Sequence, residues 1–196
     1  DEMGLNDPFL TQYGRWLSGA LRGDLGTSYK DGTKVIDKMV RATKYTVILA
    51  VSAIVLSVAV SVPLGILSAV RHDRLVDYLI RFITFIGNSL PRFLVAVLLM
   101  YVLCVRWKLL PVMANGTSRG LLLPTIAMSL GMSCDFIRQL RAEILEQMSQ
   151  GYVIGERARG DRERIILIKN VLHNSMITLL TLLGLSIAGL MGGSVV

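Results

Sequence analysis

From Thr46 to Val70 the chain carries no charged side chain, and this run is bracketed by Lys44 and Arg71. A helix that crosses a bilayer needs roughly 20 mostly apolar residues, whereas a buried helix of a soluble domain stops at about 10–14. Thr46–Val70 meets the first length and exceeds the second, so the sequence predicts a spanning helix over 46–70. Three more runs follow. Residues 82–105 are apolar apart from "GNSLPR" (Gly87–Arg92), 121–137 contain Pro124 and Asp135, and 177–196 reach the last residue. With 53% hydrophobic residues overall, the composition agrees with a polytopic α-helical membrane protein, all-α and with about four spanning helices.

The last run stops in "LMGGSVV" with no polar flank, although spanning helices normally end in interfacial aromatic or basic residues. The first residues, "DEMGLNDP", carry neither an initiator Met nor a signal-peptide pattern. The sequence is therefore expected to be an internal piece of a longer membrane protein.

A formal net charge of +7 calls for anionic partners. Beside spanning helices these are lipid phosphates, and nucleic acid is not expected. The two cysteines, Cys104 and Cys134, lie in separate apolar runs without CxxC spacing and are expected to pack. Met128 and Met132 stand one turn apart near Cys134, a soft-donor pattern, but flexible core packing is the expected reading. His72 and His173 have no neighbour at ligand spacing, so no metal site is expected.

Residues 1–44 read as an external helix and loop. Asp7 is placed to cap and Pro8 to open a helix in which Phe9, Tyr13, Trp16, Leu17 and Leu21 share a face. Such a helix either lies in the membrane interface or packs on the rest of the protein. Arg22–Lys34 is a turn-rich loop.

The polar exception is "YVIGERARGDRER", Tyr152–Arg164. It lies in a long charged segment, 138–175, that a slight excess of flanking Lys and Arg puts on the cytoplasmic side. "YVIGERAR" is expected to end at Gly160, the residue that most readily closes a helix, with Asp161 capping the next helix, "RERIILIKNVLHNS". There Ile165, Ile168, Val171 and Leu172 would share a face and lie along a surface. Arg159 and Glu163 are spaced to pair only if the helix does not break at Gly160. Two readings remain for the segment: a knob offered to a soluble partner, or a solvated loop with basic residues on headgroups.

"GERARGDRERIILIKNVLHNSMI" resembles the EAA loop of the integral-membrane subunits of binding-protein-dependent ABC importers. More narrowly, "GALRGDLGTSY", "VPLGILSAVRHDRLVDYLIRF", "NSLPRF", "LLPTIAMSL", "RQLRAEILE" and "GYVIGERARG" are similar, in order, to the peptide/nickel permease branch. The resemblance implies a type I ABC importer transmembrane-domain fold in the bacterial inner membrane. Its coupling turn falls on Gly155, Glu156, Arg157 and Ala158, its glycine on Gly160, and Asp161 follows. In that family the loop seats in a groove of a cytoplasmic ATP-binding-cassette subunit. A second homologous permease subunit and an extracytoplasmic substrate-binding protein are further implied partners. Many relatives read "TARAKG" where this chain has "GERARG", so Gly155 brings a flexible residue into the first coupling helix.

No GxxxxGK[ST] phosphate loop occurs in the sequence. ATP hydrolysis is thus expected in a separate subunit, and this chain is expected to need no cofactor and to carry no catalytic residues. Candidate pathway residues are Asn88, Ser89 and Pro91, because irregular backbone inside a membrane is tolerated where it lines a cavity. A plain kink or a misplaced boundary reads equally well there. Arg92 either faces the pathway or precedes the true span, and the second is favoured. The cargo is expected to be a peptide or nickel. A different class, a membrane receptor or sensor whose charged loop docks a signalling partner, fits the hydropathy but not the ordered motifs.

Overall fold

The computed structural model describes residues 7–112 and 118–192. Residues 1–6, 113–117 and 193–196, which include the start of the external region and the end of the run 177–196, lie outside the described residues. Among the described residues the secondary structure is helical, with a single isolated bridge between Thr27 and Lys34.

The chain divides into two units, Asp1–Val47 and Ile48–Val196. In the first, helix α1 is Phe9–Leu21. Asp7 does not cap it. Pro8 occupies the cap position, its carbonyl accepting from the amides of Thr11 and Gln12 at 2.9 and 3.1 Å. That puts Asp7 one residue too early, and its carboxylate instead accepts from Arg15 Nη2 at 2.6 Å. Phe9, Tyr13 and Trp16 are exposed, with Tyr13 ring centroids 6.4 Å from Phe9 and 6.1 Å from Trp16. The helix closes on Gly23 at φ +83°, where the Asp24 amide reaches back to Gly19 O at 2.9 Å. In the following loop Lys38, then the Ser28 and Thr33 hydroxyls, hold the Asp31 carboxyl well below the usual carboxylate range.

Helix α2 is Val35–Val70, longer at its N-terminal end than the run 46–70 because nothing between Val35 and Thr46 breaks a helix. Within the second unit its buried face is a row of small residues one turn apart, Ala53, Ser57, Ser61, Gly65 and Ala69. Small side chains let backbones approach where lipid gives no hydrophobic drive for helix association. At Gly65 an added Cβ would stand 3.1 Å from Leu140, and Ser57 Oγ donates to Ser129 O at 3.1 Å.

Helices α3 (Leu75–Ser89) and α4 (Arg92–Met100, continued by a π-helical stretch Tyr101–Arg106) are bent by 99° at their junction. Pro91 supplies no amide and pushes Leu90 into extended backbone, φ −87° and ψ 133°. The single run expected over 82–105 is therefore a broken one. Helix α5, Ser118–Met148, contains the run 121–137 and continues through Arg138 and Arg141 without interruption. It packs against α3, α4 and the last helix.

After α6 (Gly151–Ala158), the short α7 (Glu163–Ile165) passes through a π-helical stretch, Ile166–Val171, directly into α8 (Leu172–Gly192). This corrects the expectation that 162–175 forms a separate helix along a surface. Its buried positions are Ile166, Val171, Ser175 and Leu179. The step from 166 to 171 is the five-residue repeat of a π turn, and the later steps are the four-residue repeat of an α-helix. Ile165 and Ile168, expected on the packed face, are 51% and 67% exposed for that reason. Among the described residues, three helices are long and apolar enough to cross a membrane, or four if the bent pair is one span.

One ion pair fastens this arrangement. Asp77 on α3 is fully buried and accepts from Arg141 Nε and Nη2 on α5, both at 2.7 Å. Ser68 Oγ on α2 donates to the same carboxylate at 2.5 Å, and the Asp73 amide at 3.1 Å. Removing one partner of a buried pair leaves an uncompensated charge, so Asp77→Asn should cost about 3–5 kcal/mol. The double substitution Asp77→Leu/Arg141→Met should cost far less than either single change. Reversible unfolding of the detergent-solubilised protein reads both outcomes.

Candidate functional site

Two regions of the second unit bring chemistry-bearing residues together. The first is α6 and its closing turn. The Gln150 carbonyl starts the helix, accepting from Val153 N at 3.0 Å and Ile154 N at 3.3 Å. Val153 is fully buried in a core cluster with Ala69, Leu140, Ile144, Ile166 and Val171, which seats α6 on α5 and on the start of α7–α8. Gly160, at φ +83°, closes α6: its amide meets Arg157 O at 3.0 Å and the Asp161 amide meets Glu156 O at 3.1 Å. That is the double reverse bond of a glycine-terminated helix.

Asp161 does not cap the next helix. Arg162 holds the cap position without a side-chain bond, and Asp161 sits 3.8 Å from Arg159 Nε instead. Across the glycine, Arg157 rather than Arg159 pairs with Glu163, at 2.6 and 3.2 Å. The turn at Gly160 removes the helical register that Arg159 and Glu163 would need. Glu156 turns inward, with a side chain only 14% exposed, and accepts from Asn170 Nδ2. Gly155 lies inside regular helix, where an added Cβ would meet nothing closer than 3.8 Å. Ala158, Arg157, Arg159, Gly160 and Asp161 are exposed, as are Ile154, Ile165 and Ile168.

A chain of hydrogen bonds runs from the first turn of α6 to α8. Tyr152 OH donates to Gln147 Oε1 at 2.9 Å, and Gln147 Nε2 donates to Glu143 Oε1 at 2.9 Å. Thr178 Oγ1 completes it, donating to Glu143 Oε2 at 2.9 Å. Its members span 35 residues from Glu143 to Thr178, and no local pattern in the sequence pairs them.

The second region is the bend between α3 and α4, which borders an open groove of about 1100 Å³ against α5. Asn88 and Ser89 line it, and Ser89 Oγ donates to Phe85 O at 2.8 Å. Pro91 is not in the lining; it is the residue before α4. Arg92, Asp135 and Arg138 also line it, and Arg138 Nη2 lies 3.2 Å from Asp135 Oδ1. Where α3 meets α5 at Gly87, itself in the lining, an added Cβ would come within 2.5 Å of Cys134 Sγ.

Residues 61–196 match the family described as the inner membrane component of binding-protein-dependent transport systems. The chain belongs to that family. Its transmembrane part therefore has the type I ABC importer fold, and the protein is a multi-pass inner-membrane component. Among its relatives is the nickel import system permease protein NikB of Staphylococcus aureus strain bovine RF122 / ET3-1, 34% identical over the whole of this chain. NikB of strain MRSA252 is 33% identical over the same length. The chain spans 58% of the length of either relative.

For a transport permease a metal-binding cluster bears on function, and one group of side chains invites the test. His72, Asp73 and Asp77 bring possible ligand atoms within 4.8 Å of one another, a neighbourhood that sequence spacing did not reveal. Both Asp77 oxygens, however, are taken by Arg141, and Asp73 Oδ2 lies 3.1 Å from His72 Nδ1. A guanidinium held on the buried carboxylate would stand beside any bound cation, so this donor set does not fit a metal. Met132 is buried beside Ala50, Phe136 and Leu179 with Met128 packed against it, which is core packing. The Gly87–Cys134 approach gives a direct check on the groove wall. Gly87→Ala should destabilise the permease by about 1–3 kcal/mol through overpacking, and Cys134→Ala in the same chain should restore most of it in thermal unfolding.

Proposed function

We propose that the protein is a membrane-spanning permease subunit of an ATP-driven importer, with nickel favoured over peptide as the cargo. The observation that carries this reading is the seating of α6: a short polar helix, closed by Gly160 and held on α5 and α7–α8 by the buried Val153. In a member of this family such an element suits the task of receiving force from a separate ATPase. The exposed Ile154, Ile165 and Ile168 with Arg157, Arg159, Arg162 and Arg164 offer apolar contact and positive charge to that subunit. Gly155, Arg157, Ala158, Gly160 and Asp161 form the docking side. Glu156 acts from within, fixing α6 to Asn170.

On this reading segment 138–175 is cytoplasmic and residues 1–44 are external. Asn88 and Ser89 line the pathway, Pro91 shapes it by breaking the span, and a second permease subunit completes it. The whole importer further includes an extracytoplasmic substrate-binding protein, with membrane lipid around the helices. Nickel is preferred because two relatives matched over the full chain, both from Staphylococcus aureus, are nickel import permeases. ATP-driven closure of the ATPase dimer would move α6 and, through it, shift the helices between outward and inward access.

A Val at position 160 is strained at positive φ, so Gly160→Val should abolish co-purification of the ATPase and cargo uptake while the permease stays in the membrane. Retained complex and retained uptake would reject the coupling role. The chain from Tyr152 to Thr178 makes a second, subtler expectation. Thr178→Val should leave ATPase co-purification intact but lower cargo moved per ATP hydrolysed in proteoliposomes by about two- to fivefold, the effect of losing roughly 0.5–1 kcal/mol of one hydrogen bond. Thr178→Ser should recover it.

A further inference from the structure

Helices α2 and α5 meet at three levels that follow the same order in both. Ser57 donates to Ser129 O, Gly65 stands against Leu140, and Ser68 and Arg141 share the Asp77 carboxylate. The two helices therefore run parallel, and Asp135, midway between Ser129 and Leu140, lies level with about Ser61. That register fixes its depth. The uncharged run Thr46–Val70 is longer than the roughly 20 residues that a hydrocarbon core takes up. Wherever those residues fall within the run, Ser61 is inside the core, about 6 Å or more from its nearer boundary at 1.5 Å per residue.

Arg138 does not escape to the headgroups. Side chains of a helix lean towards its N-terminus, and the Arg138 guanidinium does so, meeting Asp135 at 3.2 Å one turn back along α5. It points into the membrane. Yet the side chains of Asp135 and Arg138 are 41% and 64% exposed, and hydrocarbon against such charges is costly. This face of α5 is therefore not turned to lipid tails. Beyond the pair, the next exposed positions of α5 are Gln139, Ala142 and Glu146. With 135 and 138 they make one stripe at steps of three and four residues, without a large apolar side chain. The outward face of α8 is the opposite, with Ile177, Leu180 and Leu185 exposed, which suits lipid. The open groove of about 1100 Å³ follows the α5 stripe, since its lining includes Gly131, Asp135, Arg138 and Ala142. Those positions cover about 16 Å of helix.

We propose that the exposed face of α5 from Asp135 to Glu146 is the wall of a water-filled vestibule that opens to the cytoplasmic side and carries the cargo out of the membrane. The proposal rests on the importer reading above, which puts the C-terminal end of α5 in the cytoplasm. Water satisfies the exposed ion pair at its depth, and Gln139 and Glu146 continue the polar surface to the last turn of the helix. Ala142, small and exposed in the middle of the stripe, leaves the vestibule wide. The exit half of the pathway is thereby assigned to α5, one helix away from the bend at Pro91.

The test uses the complete importer, without nucleotide, in sealed membrane vesicles of either orientation. Gln139→Cys, Ala142→Cys, Ile177→Cys and Leu180→Cys are each made in a Cys104→Ala/Cys134→Ala background and treated with a membrane-impermeant cationic methanethiosulfonate. A thiol reacts as the thiolate, which forms in water and not in hydrocarbon. In inside-out vesicles Gln139→Cys and Ala142→Cys should therefore react at least about a hundredfold faster than the two α8 variants. Separately, Ala142→Trp should narrow the vestibule and lower cargo uptake at least about tenfold with ATPase co-purification retained, whereas Leu180→Trp should leave uptake within about twofold. Equal, slow reaction at all four positions from both sides would overturn the proposal, as would a disulfide between Ala142→Cys and a second permease chain at a position the reagent does not reach. So would full uptake in Ala142→Trp. Fast reaction at Gln139→Cys and Ala142→Cys in right-side-out vesicles alone would instead overturn the orientation that the importer reading supplies.

Discussion

A single buried carboxylate holds the second unit in register. Asp77 is taken wholly out of solvent, and desolvating a carboxylate is costly enough that it persists only when its oxygens are fully engaged. Here they are, by two guanidinium hydrogen bonds, a serine hydroxyl and a backbone amide. The donors come from α5, from α2 and from the turn before α3. The contact therefore sets the depth and rotation of three helices at once. Apolar packing between helices in lipid has little directional preference, and a polar lock supplies it.

Around that lock, α2 contributes proximity through its row of small residues. Gly65 admits Leu140 and Ser57 reaches a carbonyl of α5, so α2 and α5 run close enough for Ser68 and Arg141 to meet on the one carboxylate of α3. A larger side chain in the row would separate the helices and lengthen the very hydrogen bonds that compensate the buried charge. The two devices depend on each other: close approach makes the polar lock possible, and the lock fixes which faces approach.

How much of this was legible in the sequence follows from the range of each interaction. Thr46–Val70 was readable because hydropathy alone decides a span, and Gly160 because a helix-closing glycine is a local signal. The caps assigned to Asp7 and Asp161 failed by one residue, since Pro8 and Arg162 took the cap positions. The face of 162–175 was misread because a 3.6-residue period was assumed, and the π stretch Ile166–Val171 changes the step. The pathway candidates Asn88 and Ser89 share the groove lining, whereas Pro91 shapes the bend from outside it. The Asp77–Arg141 pair joins residues 64 apart in the chain, and no local spacing connects them.

Helix α5 links the two regions of interest. Near its C-terminal end Gln147 and Glu143 hold α6 and α8, Arg141 holds α3, and farther back Arg138, Asp135 and Gly131 line the groove, with Cys134 against Gly87. From Gln147 to Gly131 is about 24 Å of helix at 1.5 Å per residue, and no glycine or proline interrupts it between those ends. An uninterrupted helix transmits displacement as a rod, because bending it requires loss of backbone hydrogen bonds. On the importer reading, force delivered at α6 therefore reaches the groove as a movement of the α5 wall relative to the bend at Pro91. Such a movement changes the separation between Arg92, carried by α4, and Asp135, carried by α5.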